Sequence, residues 1–208
     1  MAFNVSALSN YTTENQDLLV SAAVLGAKTA TLIKNQGNVM VGVKSAEKIN
    51  IMDTDAVFQA GGTSTIANTI TNSSFNQCGL LTINGSLTGC TINDGTASAS
   101  LITSALSKII GNTFVSDGSN HAVELTSIGA GSMTWDNQLS GYVTGGSGGS
   151  PITPTSTSNE AIYINVATAS DFTINVADGA TVPSVRVGAS FTGSVNVVAG
   201  LKSFKFTL

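Results

Sequence analysis

The feature that most constrains this chain is a phrase that keeps returning: an apolar or aromatic residue beside Thr or Ser, then Asn, Asp or Gly. It reads Ser74-Phe75-Asn76, then Cys90-Thr91-Ile92-Asn93-Asp94-Gly95, then Asn112-Thr113-Phe114-Val115-Ser116-Asp117-Gly118. Met133-Thr134-Trp135-Asp136-Asn137 and Phe172-Thr173-Ile174-Asn175-Val176-Ala177-Asp178-Gly179 follow. The apolar centres Phe75, Ile92, Phe114 and Trp135 lie 17, 22 and 21 residues apart. The next step, from Trp135 to Ile174, is 39, but it contains a Gly/Ser/Pro/Thr insert over 145–159 whose 15 residues, once removed, bring it back to 24. A second phrase keeps its distance from the first: Leu101 sits nine residues after Ile92, and Val123 nine after Phe114. Its next copy, Ala161-Ile162-Tyr163-Ile164, lies 39 after Ala122-Val123-Glu124-Leu125, so the same insert explains both gaps. Self-similarity at such a period is the mark of stacked units, each too small to bury its apolar face alone. The β-branched residues favour strands and the Asn/Asp-Gly steps favour tight corners. The chain is therefore expected to be mainly β, with a β-solenoid or β-helix-like repeat domain over 63–208. A β-sandwich is the alternative, because short strands with frequent turns serve both.

Composition narrows the functional classes. Only 10% of the 208 residues are charged against 42% hydrophobic, and the net charge is −4. Such a chain is long enough to bury a sizeable core and is not disordered through charge. Its eight Lys and Arg, half of them before residue 60, form no patch able to neutralise many phosphates, so nucleic acid is not an expected partner. Polar character must come from hydroxyls and amides, which suits contact with protein or sugar outside a cell or on a particle. No apolar run reaches the roughly 18 residues of a membrane span. No basic stretch precedes the first long apolar run at Leu18, so no signal peptide is expected.

Residues 1–62 differ in character. Thr13 and Gln16 are spaced as a capping box, and Leu18, Leu19, Ala22, Val24 and Leu25 give a helical stripe that should end by Gly26. Asn35-Gln36-Gly37-Asn38 reads as a turn, and Val39–Lys44 and Lys48–Met52 as strands. The expectation is a small N-terminal α+β segment, joined through Gly61-Gly62 to the repeat. Within the repeat, Ala99 to Ile110 fits a helical stripe as well as two strands, and length favours strands on either side of Ser104. The insert, opening Gly145-Gly146-Ser147-Gly148-Gly149, reads as a flexible loop, and Phe204-Lys205-Phe206-Thr207-Leu208 as a closing strand.

The N-terminal segment also carries a resemblance. Phe3-Asn4-Val5-Ser6-Ala7-Leu8-Ser9-Asn10-Tyr11, the step Gly26-Ala27-Lys28-Thr29, and above all the run from Gly42 to Gln59 (Gly-Val-Lys-Ser-Ala-Glu-Lys-Ile-Asn-Ile-Met-Asp-Thr-Asp-Ala-Val-Phe-Gln) resemble the N-terminal region of tailed-phage virion structural proteins of capsid type. The likeness covers little more than a quarter of the chain. Beyond Gly61-Gly62 the resembling proteins continue into a longer shell-type domain, whereas this chain enters its Thr/Asn/Gly repeat. The resemblance implies a place in a virion.

Chemistry is thin. Asp94, Asp117 and Asp136 each follow an apolar centre by one to three residues and could align as a carboxylate ladder of the kind glycoside hydrolysis uses. Asp before Gly is also ordinary turn chemistry. His121 is the one histidine and has no nucleophile at recognisable spacing. Cys78 and Cys90 have no zinc-type neighbours; they are close enough in sequence to bridge adjacent units, but they read better as small buried hydrophobes. Trp135 and Tyr163 could stack on sugar, or form interior rungs. The Gly-rich stretch 145–149 lacks the Lys-Ser/Thr of a phosphate loop. No residue is expected to be catalytic, cofactor-binding or metal-binding. The sequence points to a virion structural protein assembled in the host cytoplasm, most simply a capsid decoration or cement protein whose partner is the capsid protein and which forms a homo-oligomer, a trimer. A tail-fibre or adhesin-like carbohydrate-binding module is the alternative, with a shell-forming capsid protein or a polysaccharide-degrading β-helix enzyme behind it.

Overall fold

The computed structural model of the chain describes the strands at 18–20, 30–33, 39–42, 49–52, 56–59 and 64–66, and then residues 69–95, 99–129, 131–145 and 159–200. The expected capping box, the turn at 35–38, the body of the insert at 146–158 and the closing strand at 204–208 lie outside the described residues.

The fold is mainly β and its sheets are parallel. Among the described residues, one sheet of eleven strands follows the order Leu18–Val20, Val39–Gly42, Ala56–Gln59, Ser74–Asn76, Thr91–Asn93, Ile109–Val115, Ser132–Ser140, Phe172–Val176, Val195–Ala199. Thr69–Thr71 and Ser86–Thr88 join it beside this path. A second sheet, of eight described strands, takes those between: Ala30–Ile33, Ile49–Met52, Ser64–Ile66, Leu81–Ile83, Ala99–Thr103, His121–Leu125, Ile162–Ile164 and Val185–Val187. The chain thus alternates between the sheets, and each circuit lays its strands beside those of the circuit before. Every pairing between strands that can be checked by register in the repeat, such as Leu101 with Val123 and Ile92 with Phe114, is parallel. Greek-key sandwiches are built from antiparallel strands, so that alternative does not describe this chain.

Parallel register places like residues above one another at the ~4.8 Å strand spacing, and this is what the repeat in the sequence encodes. Phe58, Phe75, Ile92 and Phe114 form one register row. Leu81, Leu101, Val123, Ile162 and Val185 form another, all buried, with the 39-residue step from Val123 to Ile162 spanning the insert. Burying each side chain of the second row, and Phe75, Ile92 and Phe114 of the first, contributes about 1.5–3 kcal/mol, so the rows hold the sheets together. Alternate residues face outward; Thr69 and Ser86 share a hydroxyl hydrogen bond of 2.9 Å on the exposed side, and Asn93 donates to Asn76 across the same gap.

Three expectations change. The helical stripe at 18–25 gives way at Leu18–Val20 to a strand in parallel register with Val39–Val41, and among the described residues the N-terminal segment is strand rather than α+β. A short apolar run suits a buried strand as well as a helix, and a neighbouring strand that accepts its backbone hydrogen bonds decides the matter. The alternation between sheets also begins well before Gly61-Gly62, and Val57–Gln59 pairs directly with Ser74–Asn76 across it. Finally, Trp135 is not the register partner of Phe114, which pairs with Leu139 instead. The nine-residue strand Ser132–Ser140 turns a corner midway: its first part pairs forward with Thr173–Val176, its second part backward with Ile110–Val115. Trp135 lies just before that corner and Phe114 just after the equivalent one, so both are buried and their rings stack with centroids 6.0 Å apart. Around Ser104 the chain forms the strands Ala99–Thr103 and Ile109–Val115, joined by a single 3-10 turn at Leu106–Lys108.

Candidate functional site at the insert-bearing corner

Polar residues concentrate where the chain passes from the first sheet to the second, through 94–99, 116–121, 141–161 and 177–184 in successive circuits. The insert leaves and rejoins the sheets at this corner. Two clusters occupy it.

The first brings together two of the three singled-out carboxylates. Asp94 is buried; its Oδ1 accepts from the Ser100 hydroxyl at 3.1 Å and its Oδ2 from the Asp117 backbone N–H at 3.3 Å. Burial pushes the Asp94 carboxyl up, reinforced by a hydrogen bond shared with the Asp117 carboxyl. Asp117 is exposed, and that same hydrogen bond, with help from Ser119, holds its carboxyl down. Ser100 also lies 3.5 Å from the Tyr142 hydroxyl, which burial pushes well above the usual phenol range. Asp117 Oδ1 takes the Ser119 N–H at 3.0 Å, the self-capping turn expected of Asp-Gly. Asp136 is elsewhere, opposite Ile110 in the first sheet, so the three do not form a ladder. Glycoside hydrolysis needs its carboxyls about 5–9.5 Å apart to admit sugar or water. The contact between Asp94 and Asp117 is the Asp117 backbone N–H on Asp94 Oδ2, which favours a corner brace.

The second cluster is built from His121, Glu160, Tyr163 and Arg186. Glu160 is fully buried and accepts from Arg186 Nε in a close ion pair. His121 Nδ1 stands 3.5 Å from Glu160 Oε1. The Arg186 guanidinium lies 3.7 Å from the centroid of the Tyr163 ring, which His121 approaches at 5.1 Å between ring centres. Burial pushes the His121 imidazole below its ordinary range, against the pull of Glu160. With a guanidinium already on its only carboxylate, this cluster is poorly suited to a metal ion, and among the described residues no three His, Cys, Asp or Glu side chains converge as ligands.

The other singled-out residues lie in or against the core. Trp135 is buried and donates its indole N–H to the Thr181 carbonyl at 2.9 Å; Tyr163 is half-buried under Arg186. Cys78 and Cys90 are free, buried thiols, Cys78 pushed up to about 12 by burial.

Sequence reasoning missed an internal ladder at another corner of the first sheet. Ser73, Cys90, Asn112 and Asn137 occupy equivalent positions, each two residues before a row member: Phe75, Ile92, Phe114 and Leu139. Asn112 Oδ1 accepts the Cys90 N–H at 2.9 Å, and Asn137 Oδ1 accepts the Asn112 N–H at 3.0 Å. The amide Nδ2 groups donate onward, from Asn112 to the Leu87 carbonyl at 3.1 Å and from Asn137 to the Ile109 carbonyl at 3.0 Å. The signal was a small polar residue two places before each apolar centre. Gly111, at φ +67, supplies the left-handed bend beside Asn112 that lets the backbone turn there.

No protein-family model, curated protein or solved structure matches this chain.

Proposed function

We propose that this chain is a structural protein of a tailed-phage virion: a capsid decoration or cement protein in which a β-solenoid rod projects from, or lies across, the shell. The observation that carries this reading is the likeness of Gly42–Gln59 and its flanks to capsid-type virion proteins. Residues 1–62 dock on the capsid protein, and the repeat presents hydroxyl and amide rows, such as Thr69 with Ser86 and Asn76 with Asn93, that hydrogen-bond to neighbours without the cost of burying charge. Parallel strand ladders with few gatekeeping charges are safest when neighbouring subunits cover them, which supports assembly as a trimer at threefold positions. The role is structural rather than catalytic, with the paired Asp94 and Asp117 bracing a corner.

The test is mass spectrometry of purified virions from the phage that encodes this chain, followed by co-sedimentation of purified protein with capsids lacking it. Stoichiometric presence in the particle and saturable binding to empty capsids are expected. Absence from virions, or binding to host polysaccharide but not to capsids, overturns the assignment.

A further inference from the structure

His121, Glu160 and Arg186 belong to three successive circuits of the chain, so their contacts bind neighbouring circuits to one another. Both ring nitrogens of His121 and Oε2 of Glu160 are buried without a hydrogen-bond partner among the described residues. Among the described residues, the charged or titratable groups facing the imidazole are these. Glu160 and Arg186 form the ion pair, and Tyr163 packs on the ring. Glu124 of the same strand is engaged by Asn165 Nδ2 at 2.7 Å. The strand on the other side, Ala99–Thr103, carries no titratable side chain.

We propose that this cluster is an acid-sensitive clamp: while His121 is neutral, Glu160 and Arg186 hold the circuits together, and an imidazolium at His121 competes with Arg186 for Glu160 and opens the corner. An imidazolium brings two N–H donors. One can turn to Glu160, but the other meets no acceptor among its described neighbours, and a second cation enters a buried space balanced for one. Burial and, to a lesser degree, Arg186 disfavour the charged ring, outweighing Glu160 and Glu124.

The sign follows from linkage. The unfolded chain binds a proton at His121 near its ordinary 6.5, whereas the folded chain binds it only at lower pH. The contribution is therefore complete above 6.5 and is lost as pH falls through 6.5 toward the depressed folded value. Down to pH 5.5, the greatest loss one histidine can produce is about tenfold in the opening equilibrium. Asp94, whose carboxyl is pushed up, acts in the opposite direction, so the informative quantity is the difference between wild type and a His121 variant.

Because the chain has a single histidine, NMR of the full-length protein reads its titration without ambiguity. A midpoint below 6.5 is expected, together with faster hydrogen exchange at 160–164 and 185–187 at pH 5.5 than at pH 7.5, after correction for intrinsic rates. The acceleration, up to about tenfold, should vanish in His121→Phe, which keeps an aromatic ring against Tyr163. A native midpoint at or above 6.5, or an undiminished pH effect in His121→Phe, overturns the clamp. Should that variant fail to fold, the wild-type titration decides alone.

Discussion

Replacing Asn112 by Ala is the sharpest test of how the circuits are held in register. The side chain is fully buried and makes three hydrogen bonds: it accepts from the Cys90 N–H at 2.9 Å and donates to the Leu87 carbonyl and to Asn137 Oδ1, both at 3.1 Å. Truncation leaves the Cys90 N–H inside the corner with no acceptor, at about 1–3 kcal/mol, and opens a small void beneath it. Relief from burying the amide itself offsets part of this, so a net loss of about 2–4 kcal/mol is expected. At roughly 3 °C per kcal/mol for a chain of this size, the midpoint of thermal unfolding should fall by about 6–12 °C. Asn93→Ala is the control. That residue donates to Asn76 on the outer face, where water can replace the bond, and its loss should cost no more than about 0.5–1 kcal/mol. Urea unfolding followed by circular dichroism measures both. Asn137→Ala should resemble Asn112→Ala, because it orphans the Asn112 N–H, and the double variant should cost less than the sum, since the two amides share one bond. If Asn112→Ala lies within about 0.5 kcal/mol of wild type, or Asn93→Ala costs more, the buried ladder is not what sets the corner.

Three further outcomes follow from the same structure. Cys78 and Cys90 should resist iodoacetamide at pH 8 in the native protein and react fully in urea, because burial raises both thiols, Cys78 to about 12; rapid native labelling of either would contradict their placement. Trp135, the single tryptophan, should emit at short wavelength until the chain unfolds, and Trp135→Phe should lose about 1–2 kcal/mol with its hydrogen bond to Thr181; red-shifted native emission would place the indole outside the core. On the proposed capsid role, Asp94→Asn, Asp117→Asn and Asp136→Asn together should leave capsid occupancy nearly unchanged with only a modest loss of stability, and purified protein should release no reducing sugar from host polysaccharide. Depolymerisation that disappears in the triple variant would replace the structural role with a hydrolytic one.

Much of the fold was legible in the chain alone, for a definite reason. In parallel sheets like residues stack on like, so the register rows through Phe75, Ile92 and Phe114 and through Leu101, Val123 and Ile162 are written as repeats that can be read even across a 15-residue insert. Local composition likewise marked the strands on either side of Ser104 and the self-capping turn at Asp117. Where a local pattern suits two conformations, the neighbour decides: Leu18–Val20 is a strand because Val39–Val41 pairs with it, although its apolar run also fits a helical stripe. The corner within Ser132–Ser140 was hidden because Trp135 matches the repeated phrase in composition while Leu139 matches it in register. The clamp was hidden most completely, since His121, Glu160 and Arg186 carry no motif and lie 39 and 26 residues apart. Only the winding of the chain brings them to one corner, where burial gives an isolated histidine and a single ion pair their leverage.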